Sequence, residues 1–271
     1  MKPALAQVST LSAPFEVDVE DYAAGKCPAI DVWLGTLDTY LDTHTTDDVR
    51  RLLDSHEVAA PVASFQGGLF TSQRDARHEH WEHFRRRLKL CEQLGIGTLV
   101  VAADIAGPIT RQEIERVSDS LAQAADLAAE HTVRLALEFQ ARAAFCNNLQ
   151  TAAALVEQVD RPQLGICLDA FHYCVGPSKP EDLALLTTAN LLHVQLCDLS
   201  GTPRELATDA DRILPGDGDL PLEPLIARLR AISYEGHVSV ELMNPQIWQV
   251  GPRSFGEIAM TALRKILGQA G

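Results

Sequence analysis

The chain has 271 residues, with 23 Lys+Arg against 37 Asp+Glu, a formal net charge of −14, 46% hydrophobic residues and 22% charged ones. That composition excludes a disordered or fibrous chain, and the length allows a large core that needs no disulfide or metal staple. The negative balance repels phosphate backbones and anionic lipid, which argues against nucleic acid and membrane as partners.

No apolar run reaches the ~20 residues of a membrane span. Met1–Ala6 carries one basic residue and no apolar stretch of signal-peptide length, so a cytoplasmic protein is expected. Cys27, Cys91, Cys146, Cys167, Cys174 and Cys197 form no C-x-x-C pair, and several sit in apolar runs. They read as reduced, mostly buried small hydrophobes.

Short apolar runs alternate with stretches of helical spacing along the whole chain. Strands are expected at Ala4–Val8, Ile30–Leu34, Val58–Ser64, Thr98–Ala102, Val133–Phe139, Leu164–Asp169, Leu192–Cys197 and Val238–Leu242. Helices are expected near Leu37–Ser55, Asp75–Leu94, Arg111–Glu130, Leu149–Val159, Pro180–Thr187, Leu222–Ile232 and Ser254–Leu267. The segment Glu16–Gly25 is weaker and holds at most a short helix. Near-continuous apolar strands between helices imply parallel pairing with both faces covered. Eight such units in about 250 residues is what a closed barrel requires. The fold class is therefore α/β, a single (β/α)8 TIM barrel spanning residues 1–271. A doubly wound sheet satisfies the periodicity too, but no G-x-G-x-x-G or G-x-x-x-x-G-K-[ST] follows the first strand.

Chemistry in such a barrel sits at the C-terminal ends of the strands. Glu138 ends the fifth expected strand and Asp169 the sixth, with His172 three residues later. The seventh carries Gln195 and Asp198, and the eighth delivers Glu241. Buried Asp and Glu are rare unless paired or metal-bound. Glu138 shares its face with Ala136 and Glu241 with Ser239, small neighbours that leave room for a ligand. For one acid alone, a salt bridge at the rim is as good a reading. For the four residues together, the ligand reading is stronger. One divalent ion would relieve the mutual repulsion of the carboxylates. With Gln195 binding through its carbonyl, Glu138, Asp169, Gln195 and Glu241 form an oxygen-only shell, which favours Mn²⁺ or Mg²⁺ over zinc.

Four segments carry a resemblance: Ala136–Phe139; Gly165–His172; Thr208–Gly218; and Val238–Leu242. Through them the sequence resembles the xylose isomerase-like TIM-barrel family of sugar isomerases and epimerases, from about Val133 onward. The resemblance implies metal ligation by Glu138, Asp169, Glu241 and the residue at Gln195, where the family usually carries a histidine. Glutamine at that place resembles the related 3-dehydroshikimate dehydratases.

Holding adjacent carbonyl and hydroxyl oxygens on a divalent ion acidifies the C–H between them by stabilising an enediolate. Glu138 and Glu241 would flank the substrate as catalytic bases and acids, as equivalent glutamates do in the family. Proton return to the neighbouring carbon isomerises, and return to the opposite face epimerises. Loss of a β-hydroxyl dehydrates. His172 and Arg212 are read as substrate-binding, the alternatives being a loop-capping histidine and an Arg212 paired with Asp209 or Asp211. His193 is read as core. Asp198 caps a loop or supports the metal shell, and Trp33, Phe65 and Trp248 are candidate pocket walls. His78, His80 and His83 look metal-like by composition but are read as a solvated helix start: positions two apart do not share a face, H-E-x-x-H is absent, and His80 and His83 alone could meet at i,i+3.

The function expected is a metal-dependent isomerase or epimerase of carbohydrate metabolism. Its small-molecule substrate would be an unphosphorylated keto-sugar or keto-cyclitol, since no basic glycine-rich helix start is present. The alternative is a lyase dehydrating a β-hydroxy ketone such as 3-dehydroshikimate. Abasic-site endonuclease chemistry is disfavoured by Gln195 and the charge of −14; a non-catalytic subunit is a further alternative. Related barrels form dimers and tetramers, so a homo-oligomer is an open outcome by analogy.

Overall fold

The computed structural model describes residues 1–269. Its eight strands follow one another in sequence order around a closed barrel, β1-β2-β3-β4-β5-β6-β7-β8, with parallel pairing. The strands are β1 (Lys2–Ala6), β2 (Ala29–Trp33), β3 (Ala59–Gln66), β4 (Thr98–Ala102), β5 (Arg134–Glu138), β6 (Leu164–Asp169), β7 (Leu191–Leu196) and β8 (His237–Val240). All eight expected strands are present, within a few residues. The largest displacement is at β1, which stops at Ala6 and turns into a 3-10 segment, Gln7–Thr10, of four buried residues.

The chain divides into two compact units. The first comprises Met1–Ala63 and the chain from Val194 onward. In it β1 pairs with β8 from Lys2↔His237 to Leu5↔Val240, and β7 pairs with β8 at Gln195↔Ser239. Helix α1 (Phe15–Ala24), which the sequence suggested only weakly, is ten residues long and buries Phe15, Val19 and Tyr22. The stretch expected as one helix over Leu37–Ser55 is two, α2 (Leu34–Leu41) and α3 (Thr46–Ser55). Thr45 breaks it: its hydroxyl accepts from the Asp48 N–H, and the Asp48 carboxylate accepts from the Thr45 N–H in a reciprocal cap.

The second unit runs from Ser64 to His193. It contains α4 (Arg74–Leu94), α5 (Arg111–Glu130), α6 (Leu149–Val159) and α7 (Ala170–Val175). Helices α5 and α6 have the expected limits, because Thr110 with Glu113 and Asn148 cap their starts. The six-residue α7 was not foreseen, and Pro180–Leu185 is a 3-10 turn instead of an α-helix. In the first unit, α8 (Leu222–Ala231) and α9 (Pro252–Leu267) complete the helices. Among the described residues no helix is long and apolar enough to cross a membrane. None of the six cysteines is in a disulfide, five of them are buried, and burial pushes the thiols of Cys27, Cys91 and Cys146 up to about 12.

Gly165 on β6 shows how closely neighbouring backbone passes. A Cβ there would lie 2.5 Å from Leu192 Cγ and 2.6 Å from the Asn190 carbonyl. Gly165→Ala should destabilise the protein by about 1–3 kcal/mol, measured by urea unfolding.

Behind β1, Asp18 is fully buried, accepting from Thr10 Oγ1 at 2.7 Å and Gln7 Nε2 at 3.3 Å. Burial outweighs these hydrogen bonds and raises its carboxyl to about 8 from 3.8. The folded state therefore holds a proton that the unfolded chain releases between those values. Asp18's contribution to stability falls as pH rises from about 4 to about 8, with a slope approaching about 1.4 kcal/mol per pH unit. Asp18→Asn should remove that component, seen as a flatter difference curve in urea midpoints across this window.

Candidate active site

Glu138, Asp169 and His172 form a buried cluster in the second unit, with one ligand atom of each lying within 4.8 Å of the others. Backbone register produces it. Glu138 is the last residue of β5 and its Cα pairs with Cys167. Asp169 lies two residues beyond Cys167, so its side chain returns to the same face. The strand then turns directly into α7 with Asp169 as N-cap, its Oδ1 accepting from the His172 N–H at 2.9 Å. That single capping interaction brings His172 back over the carboxylate. Glu138 Oε2 also accepts a hydrogen bond from Gln140 Nε2, a partner two residues past the strand that periodicity did not single out.

The His172 ring has a defined orientation. The Ala141 N–H donates to its Nδ1 at 3.3 Å, so the neutral ring carries its proton on Nε2. Ligating a cation through Nε2 would then leave the ring with no proton on either nitrogen. The geometry suits His172 as an Nε2–H donor beside two carboxylates.

In the first unit Gln195, Glu241 and Arg212 form a second buried cluster. Gln195 faces Ser239 in the β7–β8 register, and Glu241 lies two residues on, just past the end of β8 instead of within it. Its N–H still pairs with the Leu196 carbonyl at 3.0 Å. Glu241 Oε1 accepts from Gln195 Nε2 at 2.7 Å, and Oε2 accepts from Arg212 Nη1 at 3.0 Å. Gln195 therefore meets Glu241 through its amide nitrogen. Arg212 is 1% exposed and also donates from Nε and Nη2 to Asp209 Oδ1, at 3.0 and 2.6 Å. The Asp209 pairing weighed against a substrate role is therefore present, together with the ion pair to Glu241. Asn244, missed in the sequence because it lies beyond the last strand, donates to the Arg212 carbonyl at 3.0 Å.

Asp198 holds the loop that carries Arg212. Its Oδ1 accepts from the N–H groups of Leu199 and Leu220 at 2.9 and 2.8 Å, and its Oδ2 from Gly216 at 2.9 Å. Its backbone exchanges two hydrogen bonds with Ile213. Gly218 passes so close that a Cβ would lie 2.6 Å from Asp198 Oδ1.

Other residues weighed in the sequence fall outside these clusters. His193 is buried in β7, as a core residue should be. His80 is exposed with Nδ1 at 3.1 Å from the Gly68 carbonyl, and His83 Nε2 accepts from Arg87 Nε at 3.0 Å, so the α4 histidines serve local contacts. Phe65 is largely exposed, and Trp248 donates to the Val8 carbonyl at 2.8 Å. Trp33 walls a cavity of about 500 Å³ in the first unit with Thr36, Tyr40 and His44, and none of the six predicted site residues lines it.

The two buried carboxylates of Glu138 and Asp169 are oxygen donors that fit a divalent cation, whereas Glu241 already meets the Arg212 guanidinium. Carboxylates buried without a counter-charge would instead take up protons.

Asp198→Ala should destabilise the protein by about 2–3 kcal/mol and speed proteolytic cleavage between residues 199 and 220, while Asp198→Asn, which keeps one acceptor, should do less. Urea unfolding and limited proteolysis measure both.

Comparison with known proteins agrees with this architecture. An inosose isomerase of Halalkalibacterium halodurans is 28% identical over 79% of this chain and 77% of its own length. A 3-dehydroshikimate dehydratase of Pseudomonas aeruginosa is 26% identical over 90% of this chain but only 38% of its own length. The crystal structure of IOLI protein with a binding zinc atom superposes with a TM-score of 0.93 at 24% identity, covering 99% of both chains, a likeness of fold. The model of the Xylose isomerase-like TIM barrel family matches residues 23–262, and the chain belongs to that family.

Proposed function

We propose that this chain is a divalent-metal-dependent isomerase or epimerase of an unphosphorylated keto-sugar or keto-cyclitol. The observation that carries the reading is the buried cluster of Glu138 and Asp169, at the ends of adjacent strands, with His172 on the helix that follows. The 28% identity to an inosose isomerase supports the substrate class. In this reading Glu138, Asp169, Gln195 and Glu241 hold one ion, Mn²⁺ or Mg²⁺ by the preponderance of oxygen donors.

When bound, the ion supplies Lewis-acid stabilisation of negative charge on substrate oxygens. His172 donates from Nε2 to the substrate carbonyl, its tautomer fixed by the Ala141 N–H. Glu138 and Glu241 serve as proton acceptor and donor on the two sides of the reacting carbon. Glu241 is oriented by hydrogen bonds from Gln195 Nε2 and Arg212 Nη1. Arg212 orients Glu241 through its ion pair and binds a substrate oxygen from the same guanidinium. Return of the abstracted proton to the adjacent carbon gives the isomer; return to the opposite face gives the epimer.

Gln195 and the dehydratase relative support a second reading, elimination of water from a β-hydroxy ketone such as 3-dehydroshikimate. One experiment separates them: a mass-spectrometric screen of keto-sugars, inososes and 3-dehydroshikimate in D₂O with Mn²⁺ or Mg²⁺. The isomerase incorporates deuterium next to the carbonyl and loses nothing, whereas the dehydratase loses water and forms an ultraviolet-absorbing product. Glu138→Gln and Glu241→Gln should each lower kcat by about 10²- to 10⁴-fold with the protein still folded. Metal analysis of protein purified without chelator completes the test, a tightly held zinc counting against Mn²⁺ or Mg²⁺. Unchanged turnover in both variants would refute the assignment.

A further inference from the structure

Gln66 is the last residue of β3 and is 4% exposed. It lies in the second unit, as do Glu138, Asp169 and His172, and it ends its strand on the side of the barrel where β5 and β6 end. Its amide cannot be turned round. Nε2 donates to the Gly67 carbonyl at 2.7 Å, and that oxygen can only accept. Oε1 is therefore fixed at the other end of the amide, and it is buried with no hydrogen-bond partner among the described residues.

The loop that follows holds this acceptor in place. Asp104 Oδ2 accepts from the Gly68 N–H at 2.7 Å, and His80 Nδ1 lies 3.1 Å from the Gly68 carbonyl. A Cβ on Gly67 would sit 2.6 Å from the same Asp104 oxygen, and Gly68 has φ +77°, which favours glycine. Clamped in this way, Gln66 cannot readily swing to another partner. Buried polar atoms are nearly always satisfied, so this acceptor calls for a donor from outside the chain.

We infer that Gln66 Oε1 is a hydroxyl-accepting subsite at the end of β3, which binds a substrate hydroxyl away from the reacting carbon. An acceptor needs a donor, and in a polyol that donor is an O–H. A phosphate or carboxylate would present oxygen lone pairs to a carbonyl oxygen and be repelled. The subsite thus selects neutral polyols over phosphorylated or acidic ones, and it rests on the polyol reading of the site given above.

The test measures binding separately from turnover. The full-length, metal-loaded protein is titrated by thermal shift with myo-inositol, fructose and their monodeoxy analogues. Wild type should bind at least one monodeoxy analogue about tenfold or more weakly than its parent. Gln66→Leu should weaken the parent by a similar factor and leave that analogue unchanged, with an unliganded melting temperature equal to or above wild type. Gln66→Met, close to glutamine in length, takes its place if leucine is not accommodated. A flat monodeoxy series, wild-type affinity in the variant, or no binding of either polyol to wild type overturns the subsite. The expected binding pattern without turnover of any ketone supports the subsite and refutes the isomerase reading. Turnover with a flat series does the reverse.

Discussion

An ionised carboxylate at the end of an apolar strand must meet a donor or a cation, and this requirement shapes the rim of the barrel. Glu241 receives a guanidinium and an amide, Asp169 a backbone N–H, and Asp198 three backbone N–H groups. Arg212 is the costliest element. A guanidinium that is 1% exposed is made tolerable by Glu241 and Asp209, which both accept from it. Removing either acceptor would leave a buried charge with less compensation than burial demands.

The same residues often serve local structure and chemistry together. Asp169 caps α7 while joining Glu138 and His172, so the first turn of a six-residue helix orients the imidazole. Asp198 gathers three N–H groups from a loop that would otherwise be long and loosely held, and that loop contains Arg212. Site residues with two duties of this kind tolerate little change, because a substitution that spares the chemistry still disturbs the backbone beneath it. The glutamine at position 195 fits the same economy, a strand residue whose amide nitrogen also donates to Glu241.

The buried thiols and the α4 histidines show the opposite case, chemistry-bearing residue types without chemistry. Burial keeps Cys27, Cys91 and Cys146 protonated at any ordinary pH, which removes the nucleophilic thiolate. His80 and His83 engage neighbours on their own helix or the loop beside it. Composition alone would have ranked these residues with the carboxylates; placement separates them.

The alternation of apolar runs and helical stretches determined a parallel α/β fold, because strands covered on both faces leave a long hydrophobic signature, and eight units without a nucleotide-binding glycine loop pointed to the barrel. Glu138, Asp169, Gln195 and Glu241 were legible for the same reason: each interrupts such a run near its end, where a charge or amide has no packing explanation. Arg212 and Asp209 could be read as neighbours three residues apart. Tertiary structure alone decided which donors each carboxylate meets, since Arg212 reaches Glu241 across 29 residues and Gln195 reaches it across 46. It also decided the tautomer of His172, through an amide 31 residues away, and the fixed, unshared oxygen of Gln66. Hydrogen bonds of this kind depend on distances and angles between segments remote in the chain. Hydrophobic periodicity records which face of a strand is buried, and it carries no trace of what waits on the other side.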